Sequence, residues 1–266
     1  MIRDITLGQY YQTDSVIHRL DPRVKLAGTV LFLIDLFLIQ NVWGYLIATA
    51  ALATVIHLSR VPFGYIIRGL KSIMILLMIT VVFNLFLTEG TVIFKIWIIQ
   101  VTWEGLRTAV FIAWRLIMLI IGTSLMTFTT TPNQLTDGME KSLRPLKYLK
   151  VPVHEVAMMM SIALRFIPIL LEETDKIMKA QQARGADFES GNLFDKAKAL
   201  VPLLVPLFIS AFRRANDLAL AMEARCYRGG EGRTKMNPLI YNRTDKMAYL
   251  LIFAFMAVDI FVGRFF

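Results

Sequence analysis

Gly105–Phe128 reads GLRTAVFIAWRLIMLIIGTSLMTF, a stretch whose only charges are Arg107 and Arg115. As a helix rising about 1.5 Å per residue, it is long enough to cross the ~30 Å hydrocarbon core of a bilayer. A helix of a water-soluble protein rarely runs so far without a polar face. Working outward, Ser72–Thr88, Val42–Ser59 and Leu26–Gln40 on the N-terminal side and Met247–Phe261 on the C-terminal side have the same character. Each approaches the ~20 residues of a membrane span. The expected fold is therefore an all-α membrane protein with five transmembrane helices. Val92–Val101 is too short for another span and carries Lys95, which predicts a short interfacial or re-entrant element.

Composition agrees. Of 266 residues, 56% are hydrophobic and 18% charged, where a soluble domain has ~45–50% and ~25%. Mean hydropathy is +0.57. Met1–Lys25 is polar and charged, unlike a cleavable leader, so the N-terminus is expected to be retained. The single cysteine, Cys226, excludes an internal disulfide, and His18, His57 and His154 lack metal-ligand spacing, so no metal is expected.

Lysine and arginine orient the chain, because the loops richest in them stay cytoplasmic. Arg3, Arg19, Arg23 and Lys25 precede the first span, and Arg60, Arg68 and Lys71 lie between the second and third. The Asn41 turn carries no charge, and the segment after Phe128 is dense in Lys and Arg. This places the N-terminus and residues 129–246 inside and the C-terminus outside. The predicted organisation is a transmembrane region over 1–128, a cytoplasmic region over 129–246 and a final transmembrane helix within 247–266. The net charge of +9 is then accounted for by topology and anionic lipid, without nucleic acid.

The cytoplasmic region reads as two long amphipathic rods. From Glu155 to Gln182, Val156, Met160, Ala163, Ile167, Leu170, Thr174, Met178 and Gln181 recur with the spacing of one helical face. Arg165, Glu172, Lys176 and Lys179 fall on the opposite face, and Pro168 predicts a bend. A second rod from about Asp195 to Arg225 has Leu200, Leu204, Leu207, Ala211, Leu218 and Met222 as its stripe, with Pro202 and Pro206 bending its first half. The short polar loop Ala186–Asn192 predicts that the rods are adjacent and cross. Methionines such as Met158, Met159 and Met160 suit a surface that accepts partners of different shape, or packing within the chain.

Each rod ends in a matched tripeptide, Ala183-Arg184-Gly185 and Ala224-Arg225-Cys226. An Arg at a helix C-terminus, with Gly next, is read either as a solvated cap or as a rigid five-donor fork projected toward carboxylates on another protein. The duplication favours two such contacts.

These residues, together with His18-Arg19-Leu20-Asp21-Pro22-Arg23-Val24-Lys25, Leu143-Arg144-Pro145-Leu146, Ala163-Leu164-Arg165-Phe166-Ile167-Pro168, Ala180-Gln181-Gln182-Ala183-Arg184-Gly185 and Ala221-Met222-Glu223-Ala224-Arg225-Cys226, resemble the transmembrane T component of energy-coupling factor (ECF) vitamin transporters. The resemblance covers almost the whole chain. It departs at Cys226, where the family usually has Gly. It implies a non-catalytic scaffold that holds two ABC-type ATPases and a vitamin-binding S component. Arg184 and Arg225 would enter one ATPase each. A face including Met158, Met159, Ala163, Ile167, Leu204, Leu207 and Ala211 would hold the S component, and ATP-driven closure would topple it. ATP and Mg would be bound by the ATPases, with no cofactor on this chain. The resemblance also fits the T subunit of a dedicated cobalt or nickel importer.

No catalytic set is legible. Gly229-Gly230-Glu231-Gly232-Arg233-Thr234 lacks the lysine and spacing of a phosphate loop. The competing function is a self-contained channel or secondary transporter, for which Asp35 and Arg115 are the intramembrane charges. They lie at comparable depths, and the simpler reading is a structural ion pair with Asn84 beside it. Asp21, Pro22 and Arg23 are read as a turn at the membrane surface or a contact site.

Overall fold

The computed structural model describes residues 9–39, 41–96, 99–186, 188, 192–230, 236 and 238–265. The readings that rested on Arg3, on Gln40 and on Glu231–Thr234 lie outside these residues.

The chain forms two units, one of Gly8–Lys141 with Leu239–Phe266 and one containing Ser142–Pro238. In the first, a four-residue helix α1 (Val16–Arg19) precedes α2 (Pro22–Leu38), α3 (Val42–Ser59) and α4 (Phe63–Leu87). A hairpin of β1 (Val92–Ile96) and β2 (Ile99–Thr102) leads into α5 (Trp103–Thr129) and α6 (Pro132–Ser142). The stretch expected to be a short interfacial or re-entrant element is thus an antiparallel two-stranded hairpin, with Lys95 opposite Gln100, in an otherwise helical body. Thr102 starts α5 as its N-cap, its hydroxyl accepting from Gly105 N at 3.1 Å.

The second unit holds a 3-10 helix (Arg144–Leu149), α7 (Val153–Ala183) and α8 (Leu193–Ala224); α9 (Arg243–Phe265) returns to the first. The rods begin and end within two residues of their sequence-predicted limits. By length and apolarity α3, α5, α7, α8 from Lys198 and α9 are each able to cross a bilayer, and so is α4, which bends by 60° between Lys71 and Ile73. The α2 helix, at 17 residues, is marginally shorter than these. The chain is a multi-pass membrane protein. Its apolar side chains point outward along α4 and α9, including Ile75, Leu87, Leu250 and Leu251. Water does not tolerate such a surface on a monomer, and hydrocarbon does.

The core of the first unit is Leu36, Ile39, Tyr45, Ala48, Leu52 and Met118, where α2, α3 and α5 meet. Gly44 permits α9 to close against it, since a Cβ there would sit 2.8 Å from Asp259 Oδ1.

The expected ion pair between Asp35 and Arg115 does not form. Arg115 Nε donates to Tyr45 Oη at 2.9 Å and its Nη2 donates to Ile39 O at 3.2 Å. Ile39 caps α2, and a carbonyl at a helix end has no intrahelical donor, so the guanidinium is taken by that vacancy. Asp35 faces Asp259 of α9 instead, and both are buried. Asn84 donates within its own helix, to Thr80 O, and so has no part in an Asp35–Arg115 pair.

Candidate functional site

The two arginine-bearing helix ends have the same backbone. Arg184 is the C-cap of α7 at φ −89°, ψ 6°, and Arg225 is the C-cap of α8 at φ −93°, ψ 15°. Beyond α7, Gly185 N donates to Gln182 O at 2.9 Å and Ala186 N to Gln181 O at 3.0 Å. Beyond α8, Cys226 N donates to Glu223 O at 2.8 Å and Tyr227 N to Met222 O at 3.0 Å. Both are Schellman caps, in which two amides past the helix satisfy carbonyls that would otherwise be orphaned. Because backbone amides complete each cap, the guanidinium is not needed there. Arg184 and Arg225 are exposed and form no ion pair among the described residues.

The cap requires a left-handed residue after each Arg. Gly185 takes it at φ +90°. Cys226 takes it at φ +55°, so the departure from the family's Gly leaves the hydrogen bonding unchanged while placing a Cβ where an L-residue pays ~1–2 kcal/mol. Cys226→Gly is expected to relieve up to ~1 kcal/mol and Cys226→Val to add ~1–2 kcal/mol. Hydrogen exchange at the Tyr227 amide reads this, slower for Gly and faster for Val. Equal rates in all three would remove strain from the account.

The rods are registered against each other by polar contacts. Glu173 Oε2 accepts from Arg214 Nη2 at 3.2 Å, and Gln181 Nε2 donates to Pro202 O at 3.3 Å. These pairs occur in opposite order along the two helices, so α7 and α8 pass antiparallel. The second contact follows from covalent structure. Pro206 has no N–H, which leaves the carbonyl four residues earlier, that of Pro202, without its helical donor. Gln181, three residues before Arg184, supplies one. A cavity of about 700 Å³ lies between the rods beside Arg225, with Met158, Arg165, Leu218, Met222 and Arg228 in its wall.

The residues expected to hold a membrane partner divide. Met159, Ala163 and Leu204 are exposed, whereas Met158, Ile167, Leu207 and Ala211 are half-buried. Sequence reading missed the most exposed apolar ridge of α8, Val201, Val205, Phe208 and Phe212, whose two Phe rings stack at 6.5 Å. Its four- and three-residue spacing was legible. The stripe chosen from the sequence lay one residue round the helix, and it includes positions that face α7.

Asp21, Pro22 and Arg23 form a clamp rather than a free turn. Asp21 caps α2 by accepting from Arg23 N at 2.9 Å, and its carboxylate also receives Arg23 Nε and Nη2 at 3.0 and 2.8 Å. Burial works to raise this carboxyl's pKa, but the bonds from Arg23 outweigh it and hold the group below its ordinary value. Arg23 also stacks on Tyr241 at 3.8 Å and donates to Leu239 O. Asp245 ties the start of α2 to the start of α9, accepting from Asp21 N at 2.9 Å and from Asn242 N at 2.7 Å. Lys25 Nζ donates to His18 O and Thr129 O, which joins α1 and α5 to α2. Burial lowers the pKa of His18. With Nε2 donating to Tyr11 O, its Nδ1 accepts from Ser15 Oγ at 2.7 Å. Asp245 and Tyr241 were not singled out by sequence reading, which took Lys25 as an orienting cation and His18 as lacking metal-ligand spacing. The Asn-x-x-Asp spacing of a helix start at Asn242 was the available signal for the first.

Known proteins share this arrangement of sequence. Residues 13–236 match the family model described as cobalt transport protein (CbiQ). The energy-coupling factor transporter transmembrane protein of Clostridium kluyveri is 55% identical over 98% of this chain and 97% of its own length. That of Bacillus subtilis is 49% identical over 98% and 99%, and that of Lactococcus lactis 44% identical over 94% and 95%.

Proposed function

Since the chain belongs to the family of energy-coupling factor transporter transmembrane proteins, we propose that it is the non-catalytic scaffold of an ATP-driven importer of vitamins or other micronutrients. The observation that carries this reading is the pair of identically capped helix ends, each presenting an exposed guanidinium that forms no ion pair among the described residues. Two ABC-type ATPases receive them, one apiece, and bind the ATP and Mg themselves. The exposed charged face of α7, with Arg165, Glu172, Lys176 and Lys179, favours a place at the cytoplasmic surface over a span. The N-terminus is then cytoplasmic and the C-terminus outside, in the plasma membrane of a prokaryote. The apolar ridges of α7 and α8 hold the S component, and closure of the ATPases moves the antiparallel rods so that the S component topples and opens inward. The channel reading loses support because Arg115 is committed to Tyr45 and Ile39.

Tagged protein drawn from its own membranes is expected to bring two ATPases and one or more small membrane proteins. Recovery of the protein alone, with substrate flux in vesicles, would overturn the scaffold. Phe208→Asp with Phe212→Asp is expected to lower S-component recovery at least tenfold while both ATPases remain. Loss of the ATPases first would overturn the assignment of faces.

A further inference from the structure

Between α6 and α7 the chain reads Leu143-Arg144-Pro145-Leu146-Lys147-Tyr148-Leu149-Lys150-Val151. Cations recur every third residue at 144, 147 and 150, and leucines every third at 143, 146 and 149. In an α-helix, at 3.6 residues per turn, a strict repeat of three drifts round the surface. Here the segment is a 3-10 helix over Arg144–Leu149, with Leu146 N donating to Leu143 O at 2.9 Å and Lys150 N to Lys147 O at 3.0 Å. At three residues per turn, positions i and i+3 eclipse. The repeat therefore becomes two straight edges, one cationic and one of leucines, with Pro145, Tyr148 and Val151 forming a third.

All three edges lie at the surface. Every residue from Ser142 to Val151 is exposed, Tyr148 at 94% and Leu149 at 76%. Between Ser142 and His154 there is no carboxylate. Surface exposure of leucines beside a regular row of cations is unfavourable in water alone. It is the pattern of an element lying in the plane of a membrane interface, with stems and rings at the acyl boundary and charges on headgroups. The strip starts fourteen residues after the end of the α5 span, in a chain already embedded in lipid.

We propose that Leu143–Val151 is a docking strip for anionic phospholipid. Arg144, Lys147 and Lys150 take phosphate or phosphoglycerol headgroups, while Leu146, Leu149 and Tyr148 enter the acyl boundary. The strip thereby holds the start of α7 at the bilayer surface. The inference rests on the chain being a membrane protein and does not depend on ATPase coupling.

The test is the full chain in nanodiscs of phosphatidylcholine alone or mixed with phosphatidylglycerol, without ATPases or S component. Tyr148→Cys on a Cys226→Gly background carries an environment-sensitive fluorophore. In mixed discs the label is expected to be quenched by nitroxide-bearing lipid and shielded from acrylamide, and less so in phosphatidylcholine. Arg144→Gln, Lys147→Gln and Lys150→Gln together shift the docked fraction by on the order of 100-fold, given the attraction of a charged leaflet for each cation. Because these side chains are exposed, the triple variant keeps its fold, which size-exclusion checks. Equal access of acrylamide in all discs, as for a strip reserved for a protein partner, overturns the proposal. So does lipid quenching that ignores both phosphatidylglycerol and the triple substitution. Neither result touches the scaffold reading, because the discs contain no partner.

Discussion

Arg184→Glu combined with Arg225→Glu is expected to leave the protein inserted in the membrane and to remove both ATPases from it. Each substitution replaces a fork that donates to carboxylates with a carboxylate that repels them. Breaking one buried charge-assisted contact at an interface costs ~2–5 kcal/mol, much of it the penalty of leaving the partner charge desolvated. That is roughly 30-fold to several-thousandfold in affinity per ATPase. The two ends terminate different helices, so the effects are expected to add. Insertion should survive, because both caps are closed by backbone amides and not by the arginines. The single variants separate the contacts, each losing one ATPase first. Arg→Lys at either end keeps the charge but loses the planar fork, and an intermediate loss is expected. Co-purification read by mass spectrometry decides the matter, and undiminished recovery of ATPases with the double variant would remove the arginines from the interface.

Asp245→Ala is expected to produce the largest loss of stability. The carboxylate is 1% exposed and is the acceptor for two backbone amides, Asp21 N at the start of α2 and Asn242 N at the start of α9. Removing it strands both donors where water cannot replace it, at ~1–3 kcal/mol each. The sum, ~2–6 kcal/mol, is a large share of the ~5–15 kcal/mol by which a folded domain usually exceeds its unfolded state. Asp245→Asn keeps one oxygen and is expected to lose about half as much. Thermal unfolding in detergent measures both, and an Asp245→Ala midpoint equal to the native one would show that the clamp contributes nothing.

The parts of this protein that repeat were legible in its sequence. Five long apolar stretches announced a membrane protein, because hydrocarbon demands helices that satisfy their own backbone and carry few charges. The three-four spacing of Val156 to Gln181 announced a rod, and Gly185 after Arg184 announced where it stops. Those signals are local, written within a few turns of one helix. What depended on distant partners was not legible. Arg115 was paired with Asp35 because the two charges lie at similar depth, yet the carbonyl of Ile39 and the hydroxyl of Tyr45 were the nearer acceptors. Helix-end carbonyls are invisible in a list of side chains. Gln181 meets Pro202 only when two rods are laid antiparallel, and Asp245 reaches Asp21 only when the last helix returns to the first. The sequence by itself determined the solvent and the two rods with their ends, since these follow from periodicity and backbone chemistry, whereas α4 begins nine residues before the apolar stretch that announced it. The partner of each buried polar group was decided by tertiary structure, because a hydrogen bond is chosen by distance in space and not along the chain.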